Sequence, residues 1–148
     1  MAFCQGILTL AEANQIMQPT TPATTIRIDA NASGGGSCNY EYAPFHSVIS
    51  VIFVTLVLPS ASIADLASQA ASKTGGKLTV TPVSGIGDQA VYGVVNVPIQ
   101  GQTYNVDAMD VIYGTLFFNC ELAYLGTPQT AAEKGKLTQA CQLVLSRL

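Results

Sequence analysis

VISVIFVTLVL, residues 48–58, is the longest apolar run of the chain, and Pro59 follows it. Apolar residues occupy both alternating sets of positions in this run, whereas a strand with one solvated face would alternate with polar residues. A membrane-spanning helix needs about 20 apolar residues, which is more than the run supplies. We therefore predict a central strand that is covered on both faces, either by helices or by a partner chain.

Shorter strands are predicted on both sides of this run. Apolar and polar residues alternate over 25–30 and 38–42 before it and over 77–83 after it, and a longer, largely apolar strand is predicted over 90–97. A returning strand follows from 104, and a last long strand region is predicted over 111–124. Alternation of this kind is typical of half-buried strands, and the short connections favour antiparallel pairing.

Three helices complete the pattern. Thr9 and Glu12 form a capping box at the start of the first helix, which Pro19 stops. Ser62 and Asp65 can cap a second helix, and Thr127 followed by proline starts the third.

The sequence thus predicts one α+β domain over residues 1–148, with an antiparallel sheet of about 5–7 strands and three helices packed on it. Two arrangements fit: a layered α/β/α sandwich, or a sheet covered on one face and dimerised on the other.

Charge and composition exclude several classes of protein. Apolar residues make up 49% of the chain and charged residues only 10%, with a net charge of −3 and six Lys and Arg. A nucleic-acid binder needs a basic surface, and a disordered or coiled-coil chain needs many more charges. We expect a folded domain that binds no nucleic acid.

The four cysteines, Cys4, Cys38, Cys120 and Cys141, are widely spaced and include no C-x-x-C pair. Zinc sites usually draw on closely spaced ligands, so no metal is predicted. An even number of separated cysteines favours two disulfides in an oxidising compartment, and the predicted elements favour Cys4–Cys38 and Cys120–Cys141. The alternative is four buried free thiols in a cytosolic protein.

The start, Met1 to Cys4, has neither the basic region nor the apolar run of a signal peptide. The predicted disulfides nevertheless lead us to expect a secreted or extracytoplasmic domain. We expect its export segment to precede the printed sequence, and a lipid anchor there is left open.

Several short motifs resemble small secreted domains and lipoproteins of unknown function from Gram-positive bacteria. They are Cys4 followed by the helix start at residues 8–13, the Cys38-Asn39-Tyr40 strand, and the turn at residues 83–92. These proteins are similar in style to extracellular sensor domains of bacterial serine/threonine kinases and to layered lipoproteins of the photosystem-II-P-protein-like fold. The resemblance implies an extracytoplasmic location and an approximate fold, but no catalytic residues. The triple glycine before Cys38 departs from the pattern.

Candidate catalytic groups are few. His46 is the only histidine, and no Gly-x-Ser-x-Gly motif accompanies it. The segment Gly85–Asp88 lacks the third glycine and the helix of a dinucleotide fingerprint, so we interpret it as a tight turn with Asp88 accepting backbone hydrogen bonds. Asp107, Asp110 and Glu121 could pair for acid/base work or bind calcium, but solvated strand and turn positions are the favoured interpretation.

Tyrosines are the better candidates for recognition, because each combines a rigid apolar ring with a polar tip. The predicted ligand-binding residues are Tyr40, Tyr42, Tyr92 and Tyr104, all on predicted strands. The alternative is that these rings simply complete the core and the sheet edges.

The favoured hypothesis is a non-catalytic, exported binding or sensing domain that holds a small apolar ligand in a cleft between sheet and helix, without a cofactor. One alternative is a protein-interaction or scaffold domain for an extracytoplasmic partner, which could be a second copy of this chain. The other alternative is a hydrolase that uses His46.

Overall fold

A computed structural model describes the backbone of residues 2–18, 23, 26–30, 36–42, 47–55, 62–63, 65, 77–99, 101–125 and 131–148. Its helices are α1 (Ala2–Ile7), α2 (Leu10–Met17) and α3 (Ala131–Leu145). Its strands are β1 (Ile26–Ala30), β2 (Gly36–Tyr42), β3 (Ser47–Thr55), β4 (Lys77–Val83), β5 (Gln89–Ile99), β6 (Gln102–Tyr113) and β7 (Leu116–Leu125). The predicted α+β class is confirmed.

All seven strands form one antiparallel sheet in the order β1-β2-β3-β7-β6-β5-β4. The last strand of the chain, β7, therefore lies in the middle and joins two meanders, β1-β2-β3 and β4-β5-β6. The apolar run that begins at Val48 pairs with β2 on one side and β7 on the other, in the interior position that its composition predicts.

One face of the sheet, here called the helix face, packs against α1, α2 and α3. Buried sheet residues meet buried helix residues in one continuous core. The largest completely buried apolar side chains of that core are Tyr40, Phe118, Leu8, Met109, Leu122, Leu137, Val111 and Val144.

The start of α2 follows the predicted capping box. The Thr9 hydroxyl accepts a hydrogen bond from the Glu12 backbone N–H at 3.2 Å, and a Glu12 carboxylate oxygen accepts one from the Thr9 N–H at 2.8 Å. These bonds satisfy two of the donors that a helix leaves free at its N-terminus. In contrast, α1 was not predicted, because its six residues are too few to show a helical period.

One of the two predicted disulfides is present. Cys4 of α1 is bonded to Cys38 of β2, and both residues are buried. The prediction of a Cys120–Cys141 bond is corrected: both are free thiols, fully buried between β7 and α3. The contact between the last helix and the sheet was predicted correctly, because Cys141 of α3 contacts Met109 of β6, which is paired with Cys120 of β7. No bond joins the two sulfurs in this structure.

The predicted strand over 111–124 is two strands separated by a turn at Gly114 and Thr115. Gly114 has φ +59, a conformation that glycine adopts at little cost. Because the turn reverses the chain, Ile112 lies on the face opposite Phe118 instead of beside it, and it packs with Phe117 against Ile63.

The face away from the helices, here called the second face, carries a smaller apolar cluster. Ile63 packs there on Val91, Val80, Ile112 and Phe117. The Ile63 N–H donates to the Gln89 side chain at 3.4 Å, which anchors this piece of chain to β5. Most of the helix predicted from Ser62 lies outside the described residues.

Candidate functional site

Two of the three acidic residues considered for chemistry, Asp107 and Asp110, are buried on opposite faces of the sheet, and Glu121 is partly buried. Asp107 and Asp110 lie three positions apart on β6, and alternation along a strand therefore places them on different faces. Asp107 is completely buried on the helix face, and Asp110 is buried on the second face. The interpretation of these residues as solvated positions was therefore wrong.

On the second face, Asp110 lies beside two polar residues of β7. Asp110 is paired directly with Asn119 in the β6–β7 register, and Glu121 follows two positions later on the same side. The Asn119 amide donates to Glu121 Oε1 at 2.9 Å. We call these three residues the Asp110–Asn119–Glu121 cluster.

Burial perturbs both acids of the cluster. It raises the pKa of Asp110 to about 7, the negative charge of Glu121 adds to the rise, and the hydrogen bond from Asn119 opposes it. Burial also raises the pKa of Glu121, again against the hydrogen bond from Asn119. Carboxyls whose pKa values are raised by burial and by a neighbouring negative charge are concentrated at functional sites.

Among the described residues, the Asn119 amide is the donor that serves the two carboxyls of the cluster. Asn119 Oδ1 is buried and has no hydrogen-bond partner in the described part of the chain. Among the described residues, no Lys or Arg pairs with Asp110 or Glu121. A buried acceptor without a donor and a buried carboxylate without a cation each cost free energy, so this cluster is the place where a donor or a cation would be most stabilising.

On the helix face, Asp107 is already engaged. The Tyr92 hydroxyl donates to Asp107 Oδ2, and the Lys134 ammonium lies 5.5 Å from the centroid of the Tyr92 ring. The buried carboxylate thus has a donor within the protein, and α3 covers the ring from above. This arrangement stabilises the packing of α3 on β5 and β6.

Tyr40 and Tyr92, the two predicted tyrosines whose side chains the structure describes, do not share a binding surface. Tyr40 is completely buried, and its hydroxyl donates to the Leu8 carbonyl. Tyr92 lies on the same face but four strands away, which corresponds to roughly 19 Å at the usual strand spacing. Tyr42 and Tyr104 are placed by backbone register alone, opposite Ser47 and Leu125 respectively. For Tyr40, the interpretation as a core residue is the one that fits its position.

The glycine-rich segment forms the tight turn that the sequence predicts. Gly85 and Gly87 have φ values of +79 and +57, and the side chain of Ile86 between them is buried. Asp88 Oδ2 accepts a hydrogen bond from the Gly114 N–H at 2.7 Å, and the Asp88 N–H donates to the Ile112 carbonyl at 2.8 Å. The turn therefore fastens the start of β5 to the β6–β7 hairpin.

His46 lies outside the described residues. Within the described ranges, no three His, Cys, Asp or Glu side chains are grouped so that they could hold a metal ion. Nor does any helix of the described chain have the length and apolar character to cross a membrane.

Sequence reasoning missed Asn119, although a signal for it was present. Asn119 and Glu121 alternate with Phe118, Cys120 and Leu122, so their face of β7 is polar while the strand lies inside the sheet. In an antiparallel sheet such a polar face is ordinary, so the alternation marked a polar face on β7 but gave no sign that Asn119 Oδ1 would be buried there.

Comparison with known proteins gives no relative from which function could be transferred. No protein-family model matches the chain, and no curated protein matches it.

Proposed function

We propose that this chain is a non-catalytic binding domain that works in an oxidising compartment outside the cytosol. We further propose that it binds a cationic group at the Asp110–Asn119–Glu121 cluster. The observation that carries the proposal is the combination of the buried Asp110 carboxyl and the neighbouring Glu121 carboxyl with a buried amide oxygen that has no donor among the described residues. An ammonium or guanidinium group supplies both a positive charge and an N–H donor for that oxygen.

The compartment is supported by the Cys4–Cys38 bond, which joins α1 to the sheet. Disulfides persist in oxidising compartments and are rare in the cytosol. A secreted or extracytoplasmic domain fits this bond.

The class of ligand differs from the apolar one that the tyrosines suggested. The hydroxyls of Tyr40 and Tyr92 are both bonded to internal acceptors, and Tyr40 is part of the core. The cluster instead lies on the second face, beside the apolar side chains around Ile63 and Val91. A ligand with a cationic head and a short apolar body matches these surroundings. A second layer of helices over this face would make the fold the α/β/α sandwich that the sequence leaves open.

Calorimetric titration with putrescine and with arginine methyl ester at pH 8 tests the proposal. We expect heat of binding from at least one of these cations, and loss of it in the double variant Asp110→Asn, Glu121→Gln. Binding should weaken below pH 7, where Asp110 gains a proton. The matched control is Asp65→Asn, which removes an exposed acid from the same region and should leave binding unchanged. Absence of binding by the parent chain, or equal loss in the control, would contradict the proposal.

A second candidate function, association with another copy of this chain, is favoured by the edge position of β1, which pairs with β2 alone among the described strands. Ile28 on this edge strand is 41% exposed. The opposite edge strand, β4, contains Pro82, which lacks the N–H that a further strand would need. Sedimentation of the parent chain and of Ile28→Lys tests this candidate: we expect a dimer that the charge abolishes, and a parent that stays monomeric at high concentration would exclude it.

A further inference from the structure

Two buried thiols have no part in the proposed binding site. Cys120 lies on β7 and Cys141 on α3, and both are free and completely buried. The Cys141 thiol donates to the Met109 carbonyl at 3.6 Å, and Met109 is the register partner of Cys120. The sulfur on the helix therefore lies over the same strand pair that carries the sulfur on the sheet.

The two thiols also affect each other. Burial is the main cause that raises the pKa of the Cys120 thiol, and a hydrogen bond with Cys141 raises it further.

The bonded pair shows what this arrangement is suited to. Cys38 and Cys120 occupy one row across the sheet, since both are register partners of Val51. Each faces a cysteine of a covering helix: Cys38 is bonded to Cys4 of α1, and Cys120 lies beside Cys141 of α3. The same row of the sheet thus meets one helix through a covalent bond and another through a pair of thiols.

We propose that Cys120 and Cys141 are a redox pair, which closes to a disulfide on oxidation and fastens α3 to β7. In the structure no bond joins the two sulfurs. Oxidation converts the C-terminal helix from a layer held by packing into one held covalently, and reduction releases it.

The reaction is a thiol–disulfide exchange with a small disulfide or with the disulfide of an oxidoreductase. One thiol loses its proton and attacks a sulfur of the oxidant, which gives a mixed disulfide and releases one thiolate. The second protein thiol loses its proton and attacks the protein sulfur of the mixed disulfide, which forms the Cys120–Cys141 bond and releases the second thiolate. The protein loses two electrons and two protons, and the oxidant is reduced to two thiols.

Access should control the rate, because both sulfurs are buried and burial disfavours the Cys120 thiolate. Exchange then requires α3 to move off the sheet. We expect oxidation to be slow in the folded chain and to accelerate in urea just below the unfolding transition, where local opening is more frequent.

The test is incubation of the full chain with oxidised glutathione, with and without sub-denaturing urea, followed by alkylation in denaturant and mass spectrometry without reduction. We expect the number of alkylated thiols to fall from two to zero and the chain to become two hydrogens lighter. Amide exchange in α3 should slow by roughly tenfold or more on oxidation.

Cys120→Ala and Cys141→Ala serve as matched controls. Each keeps one thiol, so each should stop at the mixed disulfide with glutathione, and its α3 amides should not gain the added protection. If the parent chain keeps two alkylatable thiols in urea, or forms glutathione adducts or intermolecular dimers instead of the internal bond, the proposal is wrong.

Discussion

Arg147 and Glu12, which are 135 residues apart in the chain, form an ion pair with two contacts between the guanidinium and the carboxylate. Arg147 Nη1 lies 2.9 Å from Glu12 Oε2, and the same nitrogen donates to the Ile7 carbonyl at 2.8 Å. Glu12 is also the acid of the capping box of α2. The Glu12 carboxylate thus caps α2 and also binds Arg147, which follows the end of α3.

This pair predicts a pH dependence. The hydrogen bond from Arg147 is the largest cause that lowers the pKa of Glu12 to about 2, against an ordinary value of 4.5. A lowered pKa stabilises the fold above the ordinary value, and this stabilisation is lost as pH falls from about 4.5 to 2. Arg147→Met should lower the melting temperature at pH 7, and the difference from the parent should shrink as pH falls through that window. A difference that stays constant from pH 7 to pH 2 would contradict the assignment.

Gly87 should tolerate no side chain. A Cβ there would lie 2.6 Å from both the Ile112 carbonyl oxygen and Val111 Cγ1, and φ is +57. We expect Gly87→Ala to lower the free energy of unfolding by about 2–4 kcal/mol, because steric overlap adds to backbone strain. Gly85→Ala is the matched control: φ is +79 but a Cβ would meet nothing within 4 Å, so the cost should be about 1 kcal/mol. Urea denaturation measures both, and equal losses would mean that the close approach is unimportant.

The Tyr40 hydroxyl should stabilise the fold rather than bind a ligand. Tyr40→Phe leaves the Leu8 carbonyl without its buried donor, which should lower the free energy of unfolding by about 1–3 kcal/mol. Tyr113→Phe removes a hydroxyl from a ring that is 47% exposed and should change stability by less than about 0.5 kcal/mol. Chemical denaturation of the two variants tests this. A Tyr40→Phe protein as stable as its parent would return Tyr40 to the list of ligand candidates.

Asp110 should give the opposite pH dependence to Glu12. Its pKa rises from an ordinary 3.8 to about 7, so between these values the folded chain keeps a proton that the unfolded chain has released. The free energy of unfolding should therefore fall as pH rises from about 4 to 7 and level off above that. Asp110→Asn should flatten this part of the curve and stabilise the protein at pH 8 by roughly 1–3 kcal/mol, because no buried charge has to form. A parent chain whose stability rises over the same window would show that the carboxyl is ionised in the folded state.

The sequence predicted the strands well where the pattern was local. The alternation over Lys77–Val83 and the double-sided run from Val48 correspond to β4 and to the interior strand β3. The Thr9–Glu12 motif marked the start of α2 because the capping bonds join residues only three positions apart.

Features that depend on which strands pair, and in which register, could not be predicted from local sequence patterns. The Gly114 turn falls inside an apolar stretch, so one strand region was predicted over 111–124 where the structure has the end of β6 and most of β7. Asp110 and Asn119 meet only because β6 pairs with β7 in one register, and no spacing in the sequence marks that meeting. The burial of Asp107 follows likewise from α3 lying over β6, a contact between distant parts of the chain.

The central position of β7 also sets the order in which the sheet can be assembled. β3 and β6 are the inner strands of the two meanders, and both pair with β7. During synthesis from the N-terminus, their inner edges therefore lack hydrogen-bond partners until residues 116–125 are available, and exposed edges invite pairing with other chains. We expect truncations before residue 116 to aggregate rather than fold in part.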